Sequence, residues 1–363
     1  MRIDHRFGPL VCAALAASIG GTAAAQSVTL SGIADIAARV VKNEGGDAVK
    51  SLLSGSNSTS RIVVRGTEDL GDGWGAGFWL EHGLLLDTGS AVSSTQFWDR
   101  RSTVSLTHRA VGELRAGRDF IPSYSNWSRY DPFGYVGVAG SNNLVSAAQN
   151  GPTRGAFSTS PNTTVRSSNA LQWLLPQGWA GLEGGLMVAA GEGVAAANGQ
   201  HKVIGARLGW ANKQFGVSAA TTRTENNLTL AAGAGRFEDH AIGASADFGV
   251  VRMSLAYRVF DHASAKQKNT LVGLWVPVGN GELKASFVQA DLDGSAGTTA
   301  IGANGARQFG IGYVHNLSRR SALYGTVSRL ENKGVSTFAV PGGDALSAGG
   351  TSSGVEFGIR HSF

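Results

Sequence analysis

Charge is scarce in this chain. Asp, Glu, Lys and Arg make up 16% of its 363 residues, against about 25% in an average soluble domain, which excludes a charged helical bundle or coiled coil. Cysteine occurs once, as Cys12, inside a segment read below as a removable leader. The mature chain then has no thiol, so disulfides and thiolate–zinc chemistry are both closed to it. No run of 18 apolar residues follows residue 26, and a helical membrane protein is excluded with it. The net charge is only +5 with His neutral, and no clustered Lys/Arg face suggests a nucleic-acid partner. The eight histidines never fall in a His-x-x-x-His or His-Glu-x-x-His spacing, so neither a metal nor any other cofactor is expected.

Glycine, by contrast, is abundant, with 52 residues, roughly twice the usual share. Hydrophobic residues at 42% make the chain too apolar for disorder, yet mean hydropathy is −0.03. The first segment reads as an export signal. Arg2 and Arg6 precede the short apolar stretch Gly8–Ile19, and Ala23-Ala24-Ala25 before Gln26 fits a small-residue cleavage site. The expected division is a leader over 1–25 and one barrel domain over 26–363.

That barrel follows from a period of two. Val355, Phe357, Ile359 and Phe363 alternate with Gly354, Glu356, Gly358, Arg360 and Ser362. Met253, Leu255, Tyr257 and Val259 alternate with Arg252, Ser254, Ala256 and Arg258. Residues of one parity share one face of a strand, so each segment has an apolar face and a small or polar one. About sixteen such segments follow one another, each near the length of a tilted bilayer-spanning strand. Their connections alternate between short ones, such as Asp72-Gly73, Asn212-Lys213 and Asn280-Gly281, and long ones near 42–59, 88–96, 121–165, 191–199, 226–235, 261–267, 292–304 and 332–350. Short turns at one end and long loops at the other describe a single layer passing up and down a membrane, not a Greek-key sandwich. The fold class is therefore all-β: a closed sixteen-stranded antiparallel barrel, wide enough for an aqueous channel. Trp79, Phe97, Trp98, Trp173, Trp179, Trp210, Tyr324 and Phe363 are assigned to its interfacial girdles.

Several motifs sharpen this. Val28-Thr-Leu-Ser-Gly follows the leader, and Ser60-Arg-Ile-Val-Val-Arg-Gly-Thr-Glu-Asp-Leu-Gly fills the second strand. Gly77-Phe-Trp-Leu-Glu-His-Gly lies on the third, Gly117-Arg-Asp-Phe-Ile-Pro leads into a long loop holding Asp131-Pro-Phe-Gly, and Arg166-Ser-Ser-Asn-Ala-Leu-Gln-Trp leaves it. Together with the terminal Phe363, this set resembles the general diffusion porins of the neisserial and other β-proteobacterial type, over essentially the whole mature chain. The sequence departs from that pattern at Ser168-Asn169, where the family has an Asn pair, and at Arg101-Ser102-Thr103, where it has Gln-Ala-Tyr.

The resemblance implies an outer-membrane homotrimer, surrounded by lipid, that passes ions and small hydrophilic solutes. It also implies that the loop over 121–165 folds into the barrel and narrows it, with Pro122, Tyr124, Trp127, Tyr130, Phe133 and Tyr135 as packing material and a helical turn over Tyr124–Asp131. Arg61 and Arg65 share a parity that points them into the lumen. Arg100, grouped with Ser102, and Arg166, at the family's position after the loop, complete a basic wall. Glu81 and the loop's Asp131 are the acids expected across from it. Basic groups outnumber acidic ones there, which predicts a weak to moderate anion preference. A substrate-specific channel on the same barrel is the alternative. No catalytic set stands out: Asp239-His240 and Asp261-His262 are read as polar residues at the rim.

Overall fold

The computed structural model describes residues 27–145, 150–157, 164–191, 202–226 and 235–363. The leader, most of the connections expected at 191–199 and 226–235, and two pieces of the 121–165 loop lie outside the described residues.

Sixteen strands form the wall. They are β1 (Ser27–Asn43), β2 (Arg61–Gly71), β3 (Trp74–Leu85), β4 (Arg101–His108), β5 (Gly112–Phe120), β6 (Arg166–Leu174), β7 (Leu182–Ala189) and β8 (Val203–Ala211). The second half comprises β9 (Phe215–Asn226), β10 (Gly235–Asp247), β11 (Arg252–His262), β12 (Ala265–Val278), β13 (Gly281–Ala296), β14 (Gly305–Asn316), β15 (Ser321–Lys333) and β16 (Thr351–Ser362). Each is antiparallel to the next, and β1 pairs both with β2 (Leu30 opposite Val64) and with β16 (Val40 opposite Val355), so the ring is closed. Closure removes the unpaired strand edge, whose backbone groups would have no partner in hydrocarbon. At the seam, Gly32 and Phe363 exchange backbone hydrogen bonds of 3.0 and 3.1 Å. A Cβ on Gly32 would sit 2.5 Å from the Phe363 ring, so the glycine lets the terminal aromatic lie flat on the first strand.

The alternation sorts the two faces. On β11, Leu255 is 57% exposed and Arg258 0%, three residues apart and on opposite sides of the sheet. The apolar row faces out along the wall, as with Ile311, Val327 and Phe357, and the polar row faces the lumen, as with Gln308, Ser328 and Glu356. Beside the upper half of β1 the wall is continued by a short strand, Ala48–Ser54, paired with Ile36–Lys42. Between it and β2 the chain turns inward, and the amides of Ser56, Asn57 and Ser58 donate to the Asp35 carboxylate.

Three expectations are corrected. The long connection expected at 261–267 is a two-residue turn, Ala263-Ser264, with His262 opposite Ala265. Its polar residues keep the strand period, His262 and Gln267 inward and Asp261 and Lys266 outward, so polarity there marks a strand above the membrane and not a loop. The connection at 292–304 is likewise mostly hairpin, with Thr299–Ala300 folding back on Ser295–Ala296. Two of the girdle aromatics face inward: Trp79 donates to Glu81, and the Tyr324 hydroxyl donates to Asp35 at 2.6 Å. Trp173, Trp179 and Trp210 are exposed outside.

Candidate pore constriction

Between Phe120 and Arg166 the described parts of the chain leave the wall and run along its inner face. It enters through α1 (Pro122–Ser128), with Pro122 at the first helical position, where a missing N–H costs nothing. The helix thus starts and stops slightly before the expected Tyr124–Asp131. A single 3₁₀ turn (Ser141–Leu144) and α2 (Pro152–Phe157) follow. The inner faces of β9–β16 hold the segment at many points. Ser123 Oγ donates to Asp239 at 2.6 Å, and Asp239 is clamped by Arg258 at 2.6 and 2.8 Å, both residues buried. Tyr130 meets Ser218 through its hydroxyl and accepts from Ser254 at its carbonyl. Asn143 donates to Gln308, Ser328 donates to the Val138 carbonyl, and the Val138 amide donates to Glu356. Asp239 is therefore not a rim residue, and alternation puts His240 on the opposite face of β10, beside Glu238.

Glycine makes room for the segment. A Cβ at Gly243 would lie 2.2 Å from the Tyr130 ring, at Gly273 2.8 Å from Pro132, at Gly310 2.4 Å from Ala139 and at Gly354 2.9 Å from Val138. Each is closer than real Cβ contacts allow, so these inward positions form a trough. Trp127, Tyr130, Phe133 and Tyr135 are buried along it, burying apolar area that a loop in water would expose. The sequence carries this signal, as glycines on the inward parity of successive strands, but only the register shows that they line up.

Asp131 is placed differently from its expected role. Its carboxylate accepts from the amides of Phe133, Tyr135 and Ser141 and from the Ser141 hydroxyl, which itself accepts from Trp127. Buried and fully engaged, it braces the loop and does not face the arginines. What the loop turns toward them is Tyr124, stacked on Phe120 at 4.9 Å and within electrostatic reach of Arg100 and Arg166. Burial raises the Tyr124 hydroxyl against the pull of those arginines, so the group stays neutral at physiological pH.

The uncovered wall, β2–β6, is basic. Arg61 and Arg65 lie on the face that Glu81 and Trp79 share, as their parity predicts. Arg61 and Arg100 converge on one carboxylate, Glu81, at 3.5 and 2.5 Å. Arg100 reaches it from the turn before β4, its amide bonded to the Glu81 carbonyl, and not through parity with Ser102. Arg101, on β4, faces inward with Thr103. Arg166 lies over the Phe120 ring at 4.5 Å, without a carboxylate partner among the described residues. Arg65 sits four residues along β2 toward the short-turn end, about 13 Å away. There it and Arg101 flank Trp79 at 5.6 and 4.6 Å. The six predicted residues thus split three ways: Arg61, Arg100, Glu81 and Arg166 at one level, Arg65 below it and Asp131 inside the loop. Reasoning from sequence misses Asp239, Arg258 and Glu356, which hold the loop; the two acids alternate with outward residues, but nothing local says what they meet.

The chain and its closed antiparallel barrel have known counterparts. A profile described as Gram-negative porin matches residues 11–335. The chain belongs to this porin family. Outer membrane porin protein 32 of Delftia acidovorans is 34% identical over 373 residues, covering 98% of this chain and 99% of that protein. An outer membrane porin protein of Bordetella pertussis is 25% identical over 411 residues, with 98% of this chain and 99% of that protein covered. Among solved structures, the anion-selective porin from Comamonas acidovorans superposes with a TM-score of 0.80 at 32% identity, covering 93% of this chain and 100% of that one. A loop L8 deletion mutant of OmpT, an outer membrane protein of Vibrio cholerae, at 11% identity and a TM-score of 0.63, shares the fold. This porin is an outer-membrane protein, and its barrel is a diffusion channel.

Proposed function

We propose that this porin passes ions and small hydrophilic solutes with a weak to moderate preference for anions, and that the inward loop sets its narrowest section. The observation that carries the reading is that Arg61 and Arg100 share one carboxylate while Arg166 has none among the described residues. Low-dielectric walls focus that unbalanced positive charge on the solute path. The loop's side contributes a neutral Tyr124 in place of an acid, which reinforces the imbalance. Arg65 extends the basic track on the periplasmic side. The anion-selective Comamonas porin, similar over nearly all of its length, supports the same sign. We further propose a homotrimer, exported with removal of residues 1–25; the small outward residues Ala34 and Ala38 on β1 suit close approach of neighbouring barrels.

The test is a planar bilayer with a salt gradient. Stepwise openings in threes, with a reversal potential of anion sign, are the expected result. A cation-selective potential overturns the charge assignment, and saturable block by one solute moves the reading to a substrate-specific channel.

A further inference from the structure

Below the constriction the bare wall holds a hollow that ion selectivity leaves unused. It measures about 550 Å³ and is set into the inner face of β1–β5, between Trp79 and Gln177 of the β6–β7 turn. Parity makes it. The inward positions of β3 below Trp79 are Gly77 and Gly75, so over a rise of about 13 Å the floor is bare backbone. The flanking strands carry hydroxyls. Thr67 on β2 and Ser105 on β4 both stand opposite Gly77, and Thr107 stands opposite Gly75.

These groups are already oriented. Ser27 and Thr67 share a hydrogen bond of 3.0 Å, Ser105 donates to Glu113 at 2.6 Å, and Thr107 donates to the Gly75 carbonyl at 3.1 Å. Glu113 is held in turn by Arg115 at 2.7 and 2.8 Å. A hydroxyl that donates to one oxygen still accepts from another group, and a carboxylate accepts several hydrogen bonds at once. The upper end is cationic. Arg101 lies 3.5 Å from Asp119 and is bonded to Thr103. Arg65, on the other flank of Trp79, is exposed and has no carboxylate partner among the described residues. One cavity thus brings together a row of hydroxyls, one accepting carboxylate and one arginine without an acid. Its size falls within the range of small-molecule pockets, about 300 to 1,000 Å³.

We propose that this hollow is a subsite for sugar acids, with the solute carboxylate on Arg65 and its ring hydroxyls on Thr67, Ser105 and Glu113. The inference rests on the anion-preferring channel proposed above and names the solute class that such a channel holds best. Chloride uses none of the hydroxyls, whereas a sugar ring offers a donor and an acceptor at each carbon that bears an OH. A guanidinium pairs with both oxygens of a carboxylate. With Glu113 in the same hollow, a solute of one negative charge fits better than a dianionic phosphate, which would meet that acid. The hollow lies in the wall beside the path, so a bound sugar acid leaves other solutes their passage.

Saturation-transfer NMR on the detergent-purified full chain tests this, with glucuronate and glucose as probes. Glucuronate is expected to bind about tenfold more tightly than glucose, the margin of a charge-assisted contact. Arg65→Gln should bring glucuronate down to the level of glucose and leave glucose where it was. Thr67→Val with Ser105→Ala should weaken both sugars alike, severalfold. If that double variant fails to fold, Arg65→Gln, a change at an exposed side chain, carries the test alone. Glucuronate held no tighter than glucose, or held equally by the parent and Arg65→Gln, overturns the proposal. So does loss of glucuronate on Arg61→Gln with Arg100→Gln but not on Arg65→Gln, which would move the site up to the constriction. The reversal potential in a potassium chloride gradient separates the two readings. An anion sign with no sugar-acid binding removes the subsite alone, and a cation sign removes the channel reading beneath it.

Discussion

Arg258 and Arg65 face the same lumen from opposite walls. Arg258, on β11, is wholly buried, gripped by Asp239 and bonded to the Thr164 carbonyl. Arg65, on β2, is exposed, with a tryptophan ring for company and no carboxylate partner among the described residues. What separates them is the inward loop, which covers β9–β16 and leaves β2–β6 bare. A covered charge must be paired, because desolvation of a lone ion costs several kcal/mol. An uncovered one stays hydrated and acts on whatever passes. The same residue type, delivered to the lumen by the same alternation, is a structural clamp on one side and a selectivity group on the other.

Unpairing the covered side should have the largest effect. Asp239→Asn leaves Arg258 buried without its counter-charge and should cost about 3–5 kcal/mol. The loop is expected to detach, giving a larger single-channel conductance and a lower temperature for the heat-induced gel shift of the barrel. An unchanged conductance would show that the loop is held without the clamp. Next comes the trough. Gly243→Ala places a methyl on the Tyr130 ring and should cost about 1–3 kcal/mol by overpacking. Gly325→Ala, whose nearest atoms are 3.8 Å away, serves as the control and should be nearly silent in the same thermal assay.

On the bare side stability should hardly move and selectivity should. Arg61→Gln with Arg100→Gln is expected to carry the reversal potential toward zero, whereas Glu81→Gln frees both arginines and should deepen the anion preference. Opposite signs from these two changes would sharpen the contrast between the walls, and equal signs would refute it. The smallest effect is in alkali. Burial pushes the loop's Tyr135 hydroxyl up to about 12, against the pull of Arg258 beside it. A raised pKa means the neutral form is favoured in the folded state. The stability it supports is therefore full below about pH 10, the ordinary tyrosine value, and drains away as pH climbs toward 12. Conductance recorded up to about pH 10 should show no step from this group, and loosening should begin above it.

Much of the barrel is legible in the sequence. The starts of β3, β13, β14 and β16 fall where turn residues interrupt the period of two, and Arg61 and Arg65 point inward as their parity says. The misreadings have separate physical causes. Asp261 to Gln267 looks like a loop when polarity is equated with the end of a strand, whereas strands rising past the membrane keep alternating in water. Parity groups Arg100 with Ser102, but the residue lies in the turn before β4, where parity has no meaning. Asp131 reads as a pore acid because its position in the loop is clear and its orientation is not. A carboxylate within ten residues of three willing amides can satisfy itself locally.

Local alternation determined by itself that this chain is an antiparallel barrel with an apolar exterior, since one residue's parity fixes which side it faces and hydrocarbon tolerates no open edge. Only tertiary structure decided which inward charges are spent on holding the loop and which are left for solutes. That choice depends on partners more than a hundred residues apart, Ser123 with Asp239 or Val138 with Glu356, and on glycines that align only once the register of neighbouring strands is set.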